Sequence, residues 1–162
     1  MMDLVLASLE DTSRLARQMA ACLVKMDDFP AVLLQGDLGS GKTTLTSMLI
    51  PLLPGGEQAE VSSPSFTVMN VYPTKPESVH FDFYRTEGTG LDGTMEEYLY
   101  DTTRLCIAEW IDYLPEHLWP DDHLLIRWSI EGTSRRLSLS SKGPQGNHLL
   151  KHLGRLNQTA SS

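Results

Sequence analysis

Nine consecutive residues, GDLGSGKTT at positions 36–44, carry the strongest chemical signal in the chain. Gly36, Asp37, Leu38, Gly39, Ser40, Gly41, Lys42 and Thr43 match the pattern G-x-x-x-x-G-K-[ST], and Thr44 follows. An apolar run, residues 31–35, comes before it and a helix-periodic segment comes after. That strand–loop–helix setting is what a phosphate-binding loop requires. Glycines let the backbone wrap a phosphate chain where a Cβ would forbid the dihedrals. The loop amides and the helix N-terminus then face the anion. Lys42 has the reach for the β- and γ-phosphates, and the Thr43 hydroxyl suits Mg²⁺. These residues predict binding of a nucleoside triphosphate.

Hydrolysis needs more than a cradle: a held metal ion and an oriented water or acceptor. Glu109 ends the apolar run LCIA at 105–108, where an acid beside the loop strand can serve the metal. Asp82 interrupts the β-rich stretch VHFDFY at 79–84. Alternation there sets His80, Asp82 and Tyr84 on one face, with Arg85 next. That face is either a solvated surface or part of a site. Hydroxyls cluster at Ser62, Ser63, Ser65 and Thr67 around Pro64. On a loop after the phosphate-loop helix they could sense a γ-phosphate as a switch, or form an ordinary polar turn.

The elements that must position these groups follow from periodicity. A short strand is expected at 4–6, and an amphipathic helix at 11–25 with Ser8 as its N-cap. The strand at 31–35 reads as central, covered on both faces. The helix from Lys42 carries Leu45, Met48, Leu49 and Leu52 along one side, and Pro51 interrupts it. Strands at 68–72 and 79–84 form a hairpin. The Gly- and Thr-rich stretch 86–96 has a mobile-loop composition, and a short helix is expected at 96–104. A second hairpin pairs 123–130 with 136–140, and a last helix covers 147–156 before a frayed tail at 157–162. The fold class is α/β in a single domain: a three-layer sandwich with a mixed central sheet and helices on both faces.

Composition narrows the class. Length and a 41% hydrophobic content suit one domain with a true core. The net charge of −8 disfavours direct docking on a nucleic-acid backbone. Cys22 and Cys106 lack zinc or redox spacing and read as buried thiols. No signal peptide or membrane-length apolar run is evident, so the expectation is a cytoplasmic protein without membrane association.

Taken together, GDLGSGKTTLT, SSPSFTVMNVY, HFDFYR and AEW, in that order, resemble the bacterial TsaE (YjeE) family. The resemblance is good over residues 31–110 and loose on the flanks. It implies a small Mg²⁺-dependent ATPase required for threonylcarbamoyladenosine in tRNA. Its turnover would be weak alone and stimulated by a TsaD–TsaB pair, with tRNA met only through that complex. By that resemblance Lys42 holds phosphates, Thr43 and Glu109 hold Mg²⁺, and Asp82 sits at the metal and water site. Ser65 and Thr67 belong to the switch, Arg85 and Trp110 match positions of functional weight, and Asp37 matches the acid after the first loop glycine. Three positions depart from the family pattern. Ser65 replaces a Thr, the stretch 86–94 replaces an acidic helix-forming segment, and Ile111 stands where Pro is common.

Three other readings remain. A small-molecule kinase would need an acceptor pocket and an arginine-bearing lid, whereas Arg85, Arg104, Arg135 and Arg136 are dispersed. A GTPase would carry an N-K-x-D motif, which is absent. A binding module without turnover would have less use for Asp82 and Glu109.

Overall fold

The computed structural model describes residues 1–64, 67–86 and 89–159. Seven strands form one mixed sheet: β1 (Met2–Leu6), β2 (Ala31–Gln35), β3 (Met69–Tyr72), β4 (Ser78–Asp82), β5 (Leu105–Glu109), β6 (His123–Glu131) and β7 (Ser134–Lys142). Their order is β1-β7-β6-β2-β5-β4-β3. The four inner strands β6, β2, β5 and β4 are parallel, and β1, β7 and β3 pair antiparallel. The α/β mixed sheet expected from the strand–helix alternation is therefore present, with both expected hairpins. The parallel strands all end at the same edge, and strand C-termini are where open α/β sheets bind ligands.

Helices α1 (Leu9–Leu23), α2 (Lys42–Leu49) and α4 (Gly143–Thr159) accompany one core, and α3 (Gly93–Leu99) the other. The first core sets Leu15, Met19 and Leu23 of α1 and Leu45 and Leu49 of α2 with Val32, Leu34, Leu105 and Ile107. The second sets Leu33, Val79, Phe81 and Ala108 with Met95 and Leu99 of α3. Strand β2 contributes to both, so it has no polar face.

Several boundaries differ from expectation for local reasons. Helix α1 begins at Leu9 rather than 11, because Ser8 and Asp11 close a capping box at its first turn. The helix expected at 96–104 lies at Gly93–Leu99, where the Asp92 carboxylate accepts from the Met95 amide at 2.8 Å. Strand β4 stops at Asp82, so Tyr84 lies beyond it. Along α2 Thr46 is buried, while Leu52 belongs to the 3₁₀ turn Ile50–Leu52 and is exposed. In the Gly/Thr-rich stretch the Thr86 hydroxyl donates to Phe83 O, and the Thr89 amide and hydroxyl both donate to Thr86 O. Residues 87 and 88 lie outside the described residues, as do Ser65 and Phe66. Helix α4 starts at Gly143, before the expected 147. Cys22 and Cys106 are both buried free thiols, and burial raises the pKa of each.

Candidate functional site

The loop leaves β2 at Gly36 and enters α2 at Lys42. Strand β6 runs parallel beside β2, with Gln35 opposite Arg127, so the next residues, Gly36 and Trp128, meet. A Cβ on Gly36 would lie 2.8 Å from the Trp128 Cβ and 2.9 Å from the Ser40 hydroxyl. Glycine at 36 is thus a packing requirement. Gly41, with φ 115°, caps α2 without a side-chain hydrogen bond, so its turn depends on a left-handed backbone.

Lys42 is 4% exposed. Its ammonium donates to the carbonyls of Gly36 (2.5 Å) and Asp37 (3.0 Å) and stands 4.0 Å from the centroid of the Trp110 ring. Burial lowers the Lys42 pKa, and the carboxylates of Glu109, Asp112, Asp82 and Asp37 oppose that shift. Loop carbonyls and an aromatic face therefore stand in for an anionic partner at this ammonium.

The acids come from the adjacent strand ends. Glu109, 2% exposed, sits at the end of β5, directly opposite Asp82 at the end of β4. The Thr43 hydroxyl donates to Glu109 Oε2 at 2.8 Å. With its O–H pointed at Glu109, the hydroxyl turns its lone pairs outward, as a cation ligand requires. Asp82 accepts from the Ser63 hydroxyl and, at 3.0 Å, from the Tyr84 amide. Among the described residues no group of three His, Cys, Asp or Glu side chains could hold a metal alone. Thr43 and Glu109 instead suit a cation that shares its shell with phosphate oxygens and water, as Mg²⁺ does.

These groups line one cleft of about 460 Å³, together with Thr67, Arg85 and Trp110. The Thr67 hydroxyl donates to Asn70 Oδ1 at 3.3 Å. Trp110 has a left-handed backbone (φ 56°) and packs its ring on Tyr84 and Tyr113, at 4.8 and 5.5 Å between centroids. A second, smaller cleft of about 280 Å³ opens beside the loop, between Ser8, Thr12, Gly39 and Arg135.

A family model described as "Threonylcarbamoyl adenosine biosynthesis protein TsaE" matches residues 6–137. The chain belongs to the TsaE family. It is 31% identical over 148 residues to the tRNA threonylcarbamoyladenosine biosynthesis protein TsaE of Bacillus subtilis, covering 90% of this chain and 89% of that one. Against the protein of the same description from Haemophilus influenzae, identity is 27% over 141 residues, covering 85% and 87%. The fold matches the crystal structure of Bacillus subtilis YdiB with a TM-score of 0.72, at 23% identity over 96% of this chain and 95% of that one.

In this TsaE-family site, Gly39, Ser40, Gly41, Lys42, Thr43, Thr44, Asp82, Glu109, Thr67, Arg85 and Trp110 come together around the main cleft, with Leu38 at its rim. Asp37 joins through its backbone carbonyl, and Ser65 lies outside the described residues. His80 does not belong to a solvated face: it is fully buried, with Nε2 2.7 Å from Glu109 Oε1. Tyr84 leaves the alternation and packs its tilted ring against Trp110 at the cleft instead. Sequence reasoning missed Arg135, whose guanidinium donates to the loop carbonyls of Ser40 (3.1 Å) and Gly39 (3.4 Å) from 95 residues away. It also missed Trp128, which walls the loop at Gly36. No spacing pattern could have flagged either, since both reach the loop only through the β2–β6–β7 strand order. Arg104 and Arg136, by contrast, are committed to Glu77, Asp101 and Glu131 and do not line the cleft.

Proposed function

We propose that this protein binds and slowly hydrolyses ATP with Mg²⁺, and that this ATP cycle serves the making of threonylcarbamoyladenosine in tRNA. The observation that carries the reading is the Thr43–Glu109 hydrogen bond, which ties the phosphate loop to a strand-end acid with Asp82 alongside. In this reading the loop amides and Lys42 hold the β- and γ-phosphates, the lysine turning from the Gly36 and Asp37 carbonyls to the anion. Bound between Thr43 and Glu109, Mg²⁺ would neutralise charge developing on the phosphate oxygens. Asp82 orients the attacking water, and Ser63 carries that event to the hydroxyl-rich segment. Arg135 holds the Gly39 and Ser40 carbonyls back, leaving the loop amides to face the phosphates.

Slow turnover in isolation fits the resting contacts. Lys42 is occupied by loop carbonyls, and Asp82 by Ser63 and the Tyr84 amide. Stimulation would come from a TsaD–TsaB complex that rearranges them. Such a complex would also supply the contact with tRNA, which a chain of net charge −8 is poorly made to bind. The kinase reading lacks a cluster of arginines over the cleft and is not favoured.

Reconstituted tRNA modification with wild type, Lys42→Ala and Glu109→Gln tests the proposal. Lys42→Ala is expected to lose ATP binding. Glu109→Gln should keep binding in EDTA and lose turnover by roughly 100-fold. Neither variant should support modification. Full modification with Lys42→Ala, or with the protein left out, would sink the reading.

A further inference from the structure

We propose that His80 is a positioning residue for the cation site, fixing the Glu109 carboxylate in the one orientation that serves Thr43 and a divalent ion. This deepens the ATP reading above and rests on it. The two carboxylate oxygens are held from opposite sides: Oε1 lies 2.7 Å from His80 Nε2, and Oε2 accepts from Thr43 at 2.8 Å. Both partners of the His80–Glu109 pair are shut off from water, at 0% and 2% side-chain exposure. A carboxylate so placed needs a donor at each oxygen, and a fixed donor removes its rotational choice.

The register explains how the ring gets there. His80 lies opposite Ile107 and Asp82 opposite Glu109 in the parallel β4–β5 pair. His80 therefore occupies the same sheet face as Glu109, two register positions further into the sheet. The ring thus meets Glu109 from below, leaving the side toward Thr43 and the cleft open.

The ring's other nitrogen gives the second indication. Among the described residues, buried Nδ1 has no hydrogen-bond partner, and the ring's side-chain hydrogen bond goes to Glu109. Facing an acceptor-only carboxylate, Nε2 is the donor of the bond to Oε1. Partners of this kind behind a metal-binding carboxylate typically change metal affinity or activity 10- to 100-fold when removed, roughly.

The test compares His80→Leu, which removes the donor, with His80→Gln, which returns an N–H near the Nε2 position. Each is first checked for folding by thermal melting. Binding of a fluorescent ATP analogue is then titrated in EDTA and against rising Mg²⁺. His80→Leu should bind the analogue in EDTA as wild type does, within about twofold, while half-saturation by Mg²⁺ rises roughly 10- to 100-fold. His80→Gln should recover most of that loss. A folded His80→Leu with wild-type Mg²⁺ dependence overturns the inference, as does a His80→Gln no better than His80→Leu. Should His80→Leu not fold, ¹⁵N spectra of the wild-type ring decide. The His80 resonances should move when Mg²⁺ joins ATP, and an unmoved ring overturns the inference. Wild-type protein whose nucleotide binding ignores Mg²⁺ would overturn the ATP–Mg²⁺ reading together with this one. Wild type that responds while the variants respond equally overturns only the role of His80.

Discussion

A lysine ammonium held among carbonyl oxygens and a tryptophan face destabilises the free protein and prepares it for an anion. Lys42 is such a group, its pKa pulled down by burial against the opposing carboxylates of Glu109, Asp112, Asp82 and Asp37. The sign of the linkage follows. The unfolded chain holds this proton more tightly than the folded one, so stability rises with pH between the depressed value and the ordinary 10.5. Below that window the full penalty of the buried charge is present. Lys42→Met removes the titration while keeping the side-chain length. Comparing melting temperatures at pH 7 and pH 10, the gap between wild type and Lys42→Met should shift in the wild type's favour at the higher pH. A constant gap would mean that the ammonium is as well solvated by the loop carbonyls as by water. The same residue shows what can be read locally. Its role follows from six neighbours in sequence, whereas its contact with Trp110 depends on β5 lying next to β2.

At the scale of elements, legibility followed sequence distance. Strand β2, the loop and the start of α2 were readable in full, because an apolar run, glycines and a helix N-terminus are local signals. The start of α3 was not, since Asp92 as an N-cap competes with the Gly/Thr-rich composition around it. Alternation tells that His80 and Asp82 share a face but not that the face is buried at His80, so a solvated histidine stays open from sequence. Arg135 was invisible as a site residue, being placed by strand order alone. Helix α1 makes the local logic testable. Asp11 accepts from the amides of Ala7 (2.9 Å) and Ser8 (3.0 Å), and Ser8 caps the Asp11 amide in return. The Ala7 amide first, then the Ser8 hydroxyl and Arg14, hold the Asp11 carboxyl below its usual 3.8. Its contribution is therefore complete above about pH 4 and is lost as pH falls through the depressed value. Ser8→Ala should cost about 1 kcal/mol in urea unfolding at pH 7. Asp11→Asn should lose stability at pH 7 and flatten the acid limb, and an unchanged limb would assign acid sensitivity to other carboxylates.

For the molecule as a whole, parallel strands β2, β5 and β4 bring three chemically different ends to one edge: the loop, Glu109 with Trp110, and Asp82. Asp82 is also the point where the site touches a segment outside the sheet, through the Ser63 hydroxyl. Under the proposed ATP cycle, a triphosphate that drew Asp82 toward water and cation would weaken or redirect that bond, and a diphosphate would leave it in place. In that reading nucleotide state would pass through Ser63 to residues 62–64 with the sheet unchanged. Two measurements separate nucleotide binding from sensing of the γ-phosphate. Ligand at 100 times its dissociation constant should stabilise the fold by about 2.7 kcal/mol and raise its melting temperature by roughly 5–10 °C, for Mg–ATP and Mg–ADP alike. Amide hydrogen exchange should then distinguish them. Residues 36–44 should gain protection with either nucleotide, whereas 61–64 and 82–86 should change only with Mg–ATP or a non-hydrolysable analogue. Equal changes in all three segments with Mg–ADP would mean that the β-phosphate alone sets their state. The Ser63–Asp82 contact would then be a fixed brace of the cleft, and the nucleotide signal to a partner would have to leave by the Trp110–Tyr84–Tyr113 cluster instead.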